Sequence, residues 1–257
     1  MLKPYIGITD FMTFEQVTRM LKVFMEHKKP TSKRQLHIGV MMSYKTLNNI
    51  ETKWSKAFPA KETIDSIFKP AKGNHLYYCL HYADYNNETS ELDLANAIRY
   101  ASFIDALQLD MIWPEPRIIA GGINRSRRQP EVILQIGKNA IEETNSDPDE
   151  VVYRLEEYDG VIDRVLLDKS MGRGLSMDTT ELIPFARAIK DRFHNLGLVF
   201  AGGLGPDTIN LIEPIVKEFP DLSIDAQGRL RPSGNAIDPI DWDMASEYLI
   251  KALEILK

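Results

Sequence analysis

The sequence predicts a (β/α)₈ barrel, and three observations carry that expectation. Short apolar runs alternate eight times with segments of helical periodicity, the pattern of a parallel sheet with helical crossovers. Eight such units within 257 residues suit one closed barrel, a fold that commonly reaches this length as a single domain. The rival, an open doubly wound sheet, is disfavoured because Ile8-Thr9-Asp10-Phe11-Met12 follows the first strand where a dinucleotide-binding glycine fingerprint would stand. No Pro/Gly/Ser linker or abrupt charge change divides the chain, so one domain over residues 1–257 is expected.

The first strand is read at 5–9, and Phe14, Val17, Met20, Leu21 and Phe24 follow at helical spacing. The second apolar run, 36–42, leads through an irregular stretch to a short helix at 64–68. The third strand is 76–80. A well-patterned helix at 92–103 enters the fourth strand at 106–109, and a segment rich in Gly and Arg, 121–128, reads as a solvated basic turn. The fifth strand, 132–136, precedes a helix near 151–158; the sixth, 162–167, precedes one at 182–193. The seventh strand at 198–201 and the helix at 209–219 lead to an eighth strand at 222–224, and an amphipathic helix at 242–256 ends the pattern.

Composition narrows the function. A formal net charge of -6 argues against a general nucleic-acid binder, whose footprint is basic. One cysteine cannot form an intramolecular disulfide or a cysteine-based zinc site, which favours a reducing cytoplasm. No window reaches the roughly 18 apolar residues of a membrane span, and the first ten residues lack a signal-peptide pattern, so the mature chain is expected to begin at Met1. No Walker, His-Glu-x-x-His or Gly-x-Ser-x-Gly motif occurs. Nothing in these features specifies an oligomeric state.

In a barrel of this class the chemistry belongs at the C-terminal ends of the strands. Asp10, Asp84, Asp110, Asp168 and Asp225 follow apolar runs there, at ends one, three, four, six and eight. Aspartate is also a common N-cap at a strand-to-helix turn, which is the alternative for each. Asp168 differs, because a loop follows it instead of an immediate helix start; a carboxylate at an apolar barrel lip has its pKa raised by desolvation, which suits a proton donor. Strand alternation puts Tyr77, Cys79 and His81 on one face, making His81 a further candidate and Cys79 a small buried hydrophobe. After the seventh and eighth strands stand Gly202, Gly203 and Gly205, then Gly228 and Arg229, where backbone N–H groups can converge on a phosphate. Gly172 and Gly174, around Arg173, could cover the site as a lid.

Ile6-Gly7-Ile8-Thr9, Ala106-Leu107-Gln108-Leu109, Val165-Leu166-Leu167-Asp168 with its Gly172-Arg173-Gly174 loop, and Phe200-Ala201-Gly202-Gly203-Leu204-Gly205-Pro206 occur in this order along the chain. Their order and spacing resemble the phosphoribosylanthranilate isomerase family. The resemblance implies a barrel enzyme of tryptophan biosynthesis that isomerises a phosphorylated N-aryl ribosylamine by acid–base chemistry, with no metal or cofactor. It also implies Asp168 as general acid and a phosphate held by Gly202, Gly203 and Gly228. This chain departs from the family at the base: Ile6 occupies the place of the strand-one cysteine, leaving Asp10, His81, Asp110, Cys79 and a displaced Asp225 as candidates. The arginine expected after strand two is absent, and Lys45 is the nearest cation. The expected partner is a phosphorylated small molecule, with an inert phosphate-binding barrel or another phosphosugar lyase or transferase as the alternative.

Overall fold

A computed structural model describes residues 2–69, 75–168 and 179–256. Eight strands pair in sequence order, all parallel, and the eighth returns to the first to close a barrel. They are β1 (Tyr5–Thr9), β2 (Gln35–Ser43), β3 (Leu76–Asp84), β4 (Ala106–Met111), β5 (Glu131–Gly137), β6 (Arg164–Asp168), β7 (Gly197–Ala201) and β8 (Ser223–Ala226). The predicted (β/α)₈ fold is therefore the observed one.

Two apolar regions follow from the two faces of the strands. Ile6, Ile8, Leu36, Ile38, Leu107 and Leu109 join the helices in one large outer core, while Tyr5, Tyr77, Cys79, Ala106, Ile133, Leu166, Val199 and Ala201 fill the barrel itself. Period-two alternation allocates the residues, and barrel closure makes both faces dry. The helix Phe14–His27 starts at Thr13, whose hydroxyl accepts from the Gln16 N–H while the Gln16 side chain accepts from the Thr13 N–H. The last helix, Trp242–Ile255, packs against it and covers β1.

Several elements extend or replace the sequence expectations. β3 runs four residues beyond 80, because Leu80, Tyr82 and Asp84 continue the ladder to β4. Residues 116–125 form the helix Pro116–Arg125, correcting the expected basic turn over its first half: Pro116 sits in the first turn, and Arg125 pairs with Glu91 of the helix Glu91–Arg99 at 2.7 Å. The single helix expected near 151–158 is two, Lys138–Glu143 and Pro148–Leu155, followed by a 3₁₀ turn. Asp110 and Asp225 lie inside β4 and β8, and the helices that follow are capped at Glu115 and Gln227 instead, while Asp168 is the last residue of β6.

At the N-terminal end of the barrel Arg164 is enclosed in the interior. Its Nε donates to Glu131 at 2.9 Å and an Nη donates to the Lys3 carbonyl at 3.0 Å. The guanidinium lies 5.4 Å from the Tyr5 ring centroid and 5.3 Å from that of Tyr77, a cation–π contact on each. Tyr77 O–H also donates to Glu131. Removing the guanidinium opens a void and strands the groups that receive its hydrogen bonds. Arg164→Ala is expected to cost about 3–5 kcal/mol of unfolding free energy, and Arg164→Met, which keeps the stem, clearly less. Urea denaturation of the two variants checks the order.

Candidate functional site

The opposite end of the barrel carries the C-terminal ends of the strands. A cavity of about 570 Å³ lies over the C-terminal strand ends, and Asp168, His81, Asp225, Asp110, Gly202, Gly203, Gly228 and Lys45 all line it. The sequence-predicted residues from strands three, four, six, seven and eight thus meet at one place. Asp10, Cys79, Gly205 and Arg229 do not line it. Gly172 and Gly174 lie outside the described residues.

Asp225 forms the floor. It faces inward from β8 opposite Gly7 of β1, where a Cβ would stand 2.6 Å from Asp225 Oδ1, so only glycine leaves room for the carboxylate. Thr9 Oγ1 donates to it, 2.9 Å from Oδ2 and 3.1 Å from Oδ1. Burial pushes the Asp225 pKa up to about 7, against the opposing pull of His81 and the Thr9 hydrogen bond, while Asp10 adds to the rise. This carboxyl therefore changes charge near neutral pH.

His81 stands on the β3 side of the same floor, inward as alternation predicted. Its Nε2 is 3.8 Å from Asp110 Oδ2, and Gln108 Nε2 lies 3.3 Å from each ring nitrogen while donating to Gln135 at 2.9 Å. Burial pulls the His81 pKa down, but Asp110, with Asp225 and Asp10 behind it, outweighs burial and leaves it raised. Asp110 in turn accepts a hydrogen bond from Tyr85 O–H. A Tyr85–Asp110–His81 chain thus runs from the cavity rim to its floor. Asp168 ends β6 beside Gly137 and Ala201, and its charge reaches Tyr85: desolvation, then Asp110, then Asp168 push that phenol up.

The remaining positions have structural explanations. Asp10 has a left-handed backbone, φ 92°, pairs with the buried Arg231, and accepts from Gln227 Nε2 at 3.0 Å. It ties the β8 loop to the end of β1. Asp84 caps the next turn, accepting from the Thr89 N–H at 2.8 Å and the Asn86 N–H at 3.0 Å. Gly202 and Gly203 both have positive φ, 98° and 69°, so the chain turns sharply back after β7 at the cavity wall. Gly205 packs against the backbone and Cβ of Arg229, joining the β7 and β8 loops. Lys45 is exposed at the mouth, in the short helix Tyr44–Leu47.

The sequence reading missed the mouth itself. Residues 51–54 and Phe58, from the long β2-to-β3 connection, reach over the cavity, with the Trp54 and Phe58 rings stacked at 5.7 Å. It also missed Thr9, Gln108 and Arg231 as partners. For Gln108 a signal existed, since Gln108 and Asp110 are two apart and must share a face.

No family model matches the chain, and no curated protein matches its sequence. Solved structures do. A tryptophan synthase alpha-subunit of Pyrococcus furiosus is 13% identical with a TM-score of 0.54, covering 99% of this chain and 97% of its own. A protein assigned as a deoxyribose-phosphate aldolase of Toxoplasma gondii ME49 is 12% identical with a TM-score of 0.53, covering 98% and 94%. One assigned as a fructose-1,6-biphosphate aldolase of Coccidioides immitis is 12% identical with a TM-score of 0.50, covering 98% and 89%. This chain is a (β/α)₈ barrel of the kind those enzymes share. At these identities the likeness concerns the fold alone. Strand one also separates this barrel from the isomerase pattern: Ile6 points out into the helical shell, so the inward residues there are Tyr5, Gly7 and Thr9. No helix among the described residues is long and apolar enough to cross a membrane.

The Asp225 environment sets a pH dependence. Its folded-state pKa lies above the ordinary 3.8, so between about pH 4 and 7 the folded chain keeps a proton that the unfolded chain loses. Stability falls as pH rises through that window, by up to about 4 kcal/mol, and stays lowered above it. Asp225→Asn removes this cost. Its melting temperature relative to wild type is expected to be unchanged near pH 4 and higher by several degrees near pH 8, as differential scanning calorimetry at the two pH values would register.

Proposed function

We propose that this barrel is an acid–base enzyme acting on a small phosphorylated sugar-type substrate, with isomerisation of the phosphoribosylanthranilate isomerase kind as its reaction. The observation that carries the reading is the gathering of Asp168, His81 and Asp225 around one cavity whose far wall is the Gly202-Gly203 turn. Opening a sugar ring and shifting its carbonyl needs an acid at the ring oxygen and a base at carbon two. Asp168 is the acid in this reading. The base is the His81–Asp225 pair, in which each group draws the other toward its ionised form. Asp110 orients the imidazole, as a carboxylate behind a catalytic histidine does. The substrate phosphate occupies the loops after β7 and β8, using the backbone N–H groups around Gly202, Gly203 and Gly228.

A second reading, a barrel that binds a phosphorylated metabolite without turning it over, is favoured by one observation: strand one presents no proton acceptor where the isomerase family carries its cysteine. The two readings separate in sequence. Ribose 5-phosphate at about a hundred times its dissociation constant should stabilise the fold by about 2.7 kcal/mol, raising the melting temperature by roughly 2–4 °C per kcal/mol. Inorganic phosphate should do the same more weakly. A flat response to both removes the phosphate site. If binding occurs, turnover of phosphoribosylanthranilate by wild type, with Asp168→Asn and His81→Gln each slower by about 10²–10⁴-fold, supports the isomerase; binding with no turnover leaves the sensor.

A further inference from the structure

Directly below the cavity floor lies a titratable group that the chemistry above does not use. His37, in the middle of β2, is fully buried, and its ring stacks on Tyr5 with centroids 4.6 Å apart and planes 16° apart. Tyr77 packs on it from β3 at 6.0 Å. Among the described residues neither of its ring nitrogens has a hydrogen-bond partner. Nδ1 stands 3.9 Å from Asp225 Oδ1, the carboxylate oxygen that Thr9 also addresses.

Unmade hydrogen bonds of this kind are costly in a dry interior, where no water makes up for the missing partner. Burial, and then the positive charges of His81 and Arg164, push the His37 pKa down to about 3, so the ring is neutral and the contact with Asp225 is no ion pair. A neutral imidazole carries one N–H donor and one bare acceptor nitrogen. Turned with the donor toward Asp225, it offers the carboxylate a second hydrogen bond from the face opposite the cavity. A movement of about 1 Å brings the observed separation into bonding range. The groups that bear on this pair are Tyr5 and Asp10 from β1 and its end, Tyr77, Cys79 and His81 from β3, Arg164 from β6, and Tyr248 from the last helix. The Tyr77 hydroxyl is taken by Glu131, whereas Tyr5 stacks on His37 and, among the described residues, its hydroxyl has no hydrogen-bond partner.

We propose that His37 is a positioning residue for Asp225: its neutral ring presents Nδ1–H to Oδ1 from beneath the cavity floor and, with Thr9, holds the carboxylate in place and favours its ionised form. This rests on the reading of Asp225 as a proton-carrying group of the site. The access it describes is one-sided. Substrate meets Asp225 from above, while the groups that fix its geometry and affinity for a proton stay out of solvent below.

Nuclear magnetic resonance tests this without any substrate. In protein labelled with ¹⁵N in the histidine rings and ¹³C in the aspartate carboxyls, with Asp225 assigned through Asp225→Asn, His37 is expected to carry its proton on Nδ1 throughout about pH 5–9. His37→Phe retains a ring against Tyr5 but has no N–H, and should raise the Asp225 titration midpoint by about one pH unit; His37→Asn, whose amide N–H replaces Nδ1–H, should return it to within about 0.3 of wild type. A proton on Nε2 in the wild type, or an unmoved midpoint in a folded His37→Phe, overturns the proposal. Should His37→Phe fail to fold, the wild-type tautomer and His37→Asn still decide. Because neither readout involves turnover, failure to bind or convert phosphosugars would count against the proposed enzyme and leave this result standing.

Discussion

The cavity end of this barrel depends on the seam where β1 meets β8. Closure is made by few residue pairs there, Ile6 with Ile224, Gly7 with Asp225 and Ile8 with Ala226. Because strand side chains alternate, that register sends all three isoleucines out to the helices and turns Asp225 in toward a residue with no side chain. One residue of slippage would bury an isoleucine at the cavity floor and expel the carboxylate among apolar helices. The Asp10–Arg231 pair and the Gln227 hydrogen bond lie just above the seam and lock the loop after β8 to the end of β1. The seam thus fixes in one step the position of Asp225, its neighbour Thr9 and the loop that borders the glycine-rich wall.

The interior is graded along the barrel axis. Arg164, Glu131, Tyr5 and Tyr77 close the N-terminal end with a paired charge and stacked rings. Above them Cys79, Ala106, Ile133, Leu166 and Val199 form an apolar layer, and over that come the amides, His81 and the aspartates. This order explains the electrostatics. Groups at the top are separated from water on one side only, so their charges interact strongly through the dry layer yet remain open to a ligand.

Alternation and its interruption account for what the sequence revealed. The eight strands were legible because their apolar runs are nearly continuous, as strands buried on both faces must be. His81, with Tyr77 and Cys79, was legible from the same periodicity. Element ends were not: β3 continues to Asp84 because pairing with β4 overrides the polar character of His81 and Asp84, and the Gly121-Gly122 run joins a helix because Pro116 starts it and Glu91 receives Arg125. Among the aspartates the sequence could rank none by contact. Their separation into roles comes from partners remote in the chain: Arg231 takes Asp10, the turn at Thr89 takes Asp84, and Asp110 stands by His81. The likeness of Ile6-Gly7-Ile8-Thr9 to a strand-one isomerase motif was a likeness of letters; the observed register puts Gly7 and Thr9, not Ile6, on the inner face of the barrel.

The aromatic pair at the mouth gives the cavity an optical property. Of the three tryptophans in the chain, Trp113 is buried with its indole N–H on the Ala140 carbonyl, and Trp242 is packed beside Phe11 in the helical shell. Trp54 alone among them borders the cavity, stacked on Phe58 and flanked by the Lys53 ammonium at 5.1 Å. Occupancy of the cavity changes the polarity and collisional environment of that one indole while the other two keep theirs. The molecule carries its own fluorescent gauge of that cavity, which a quencher entering from solvent can read.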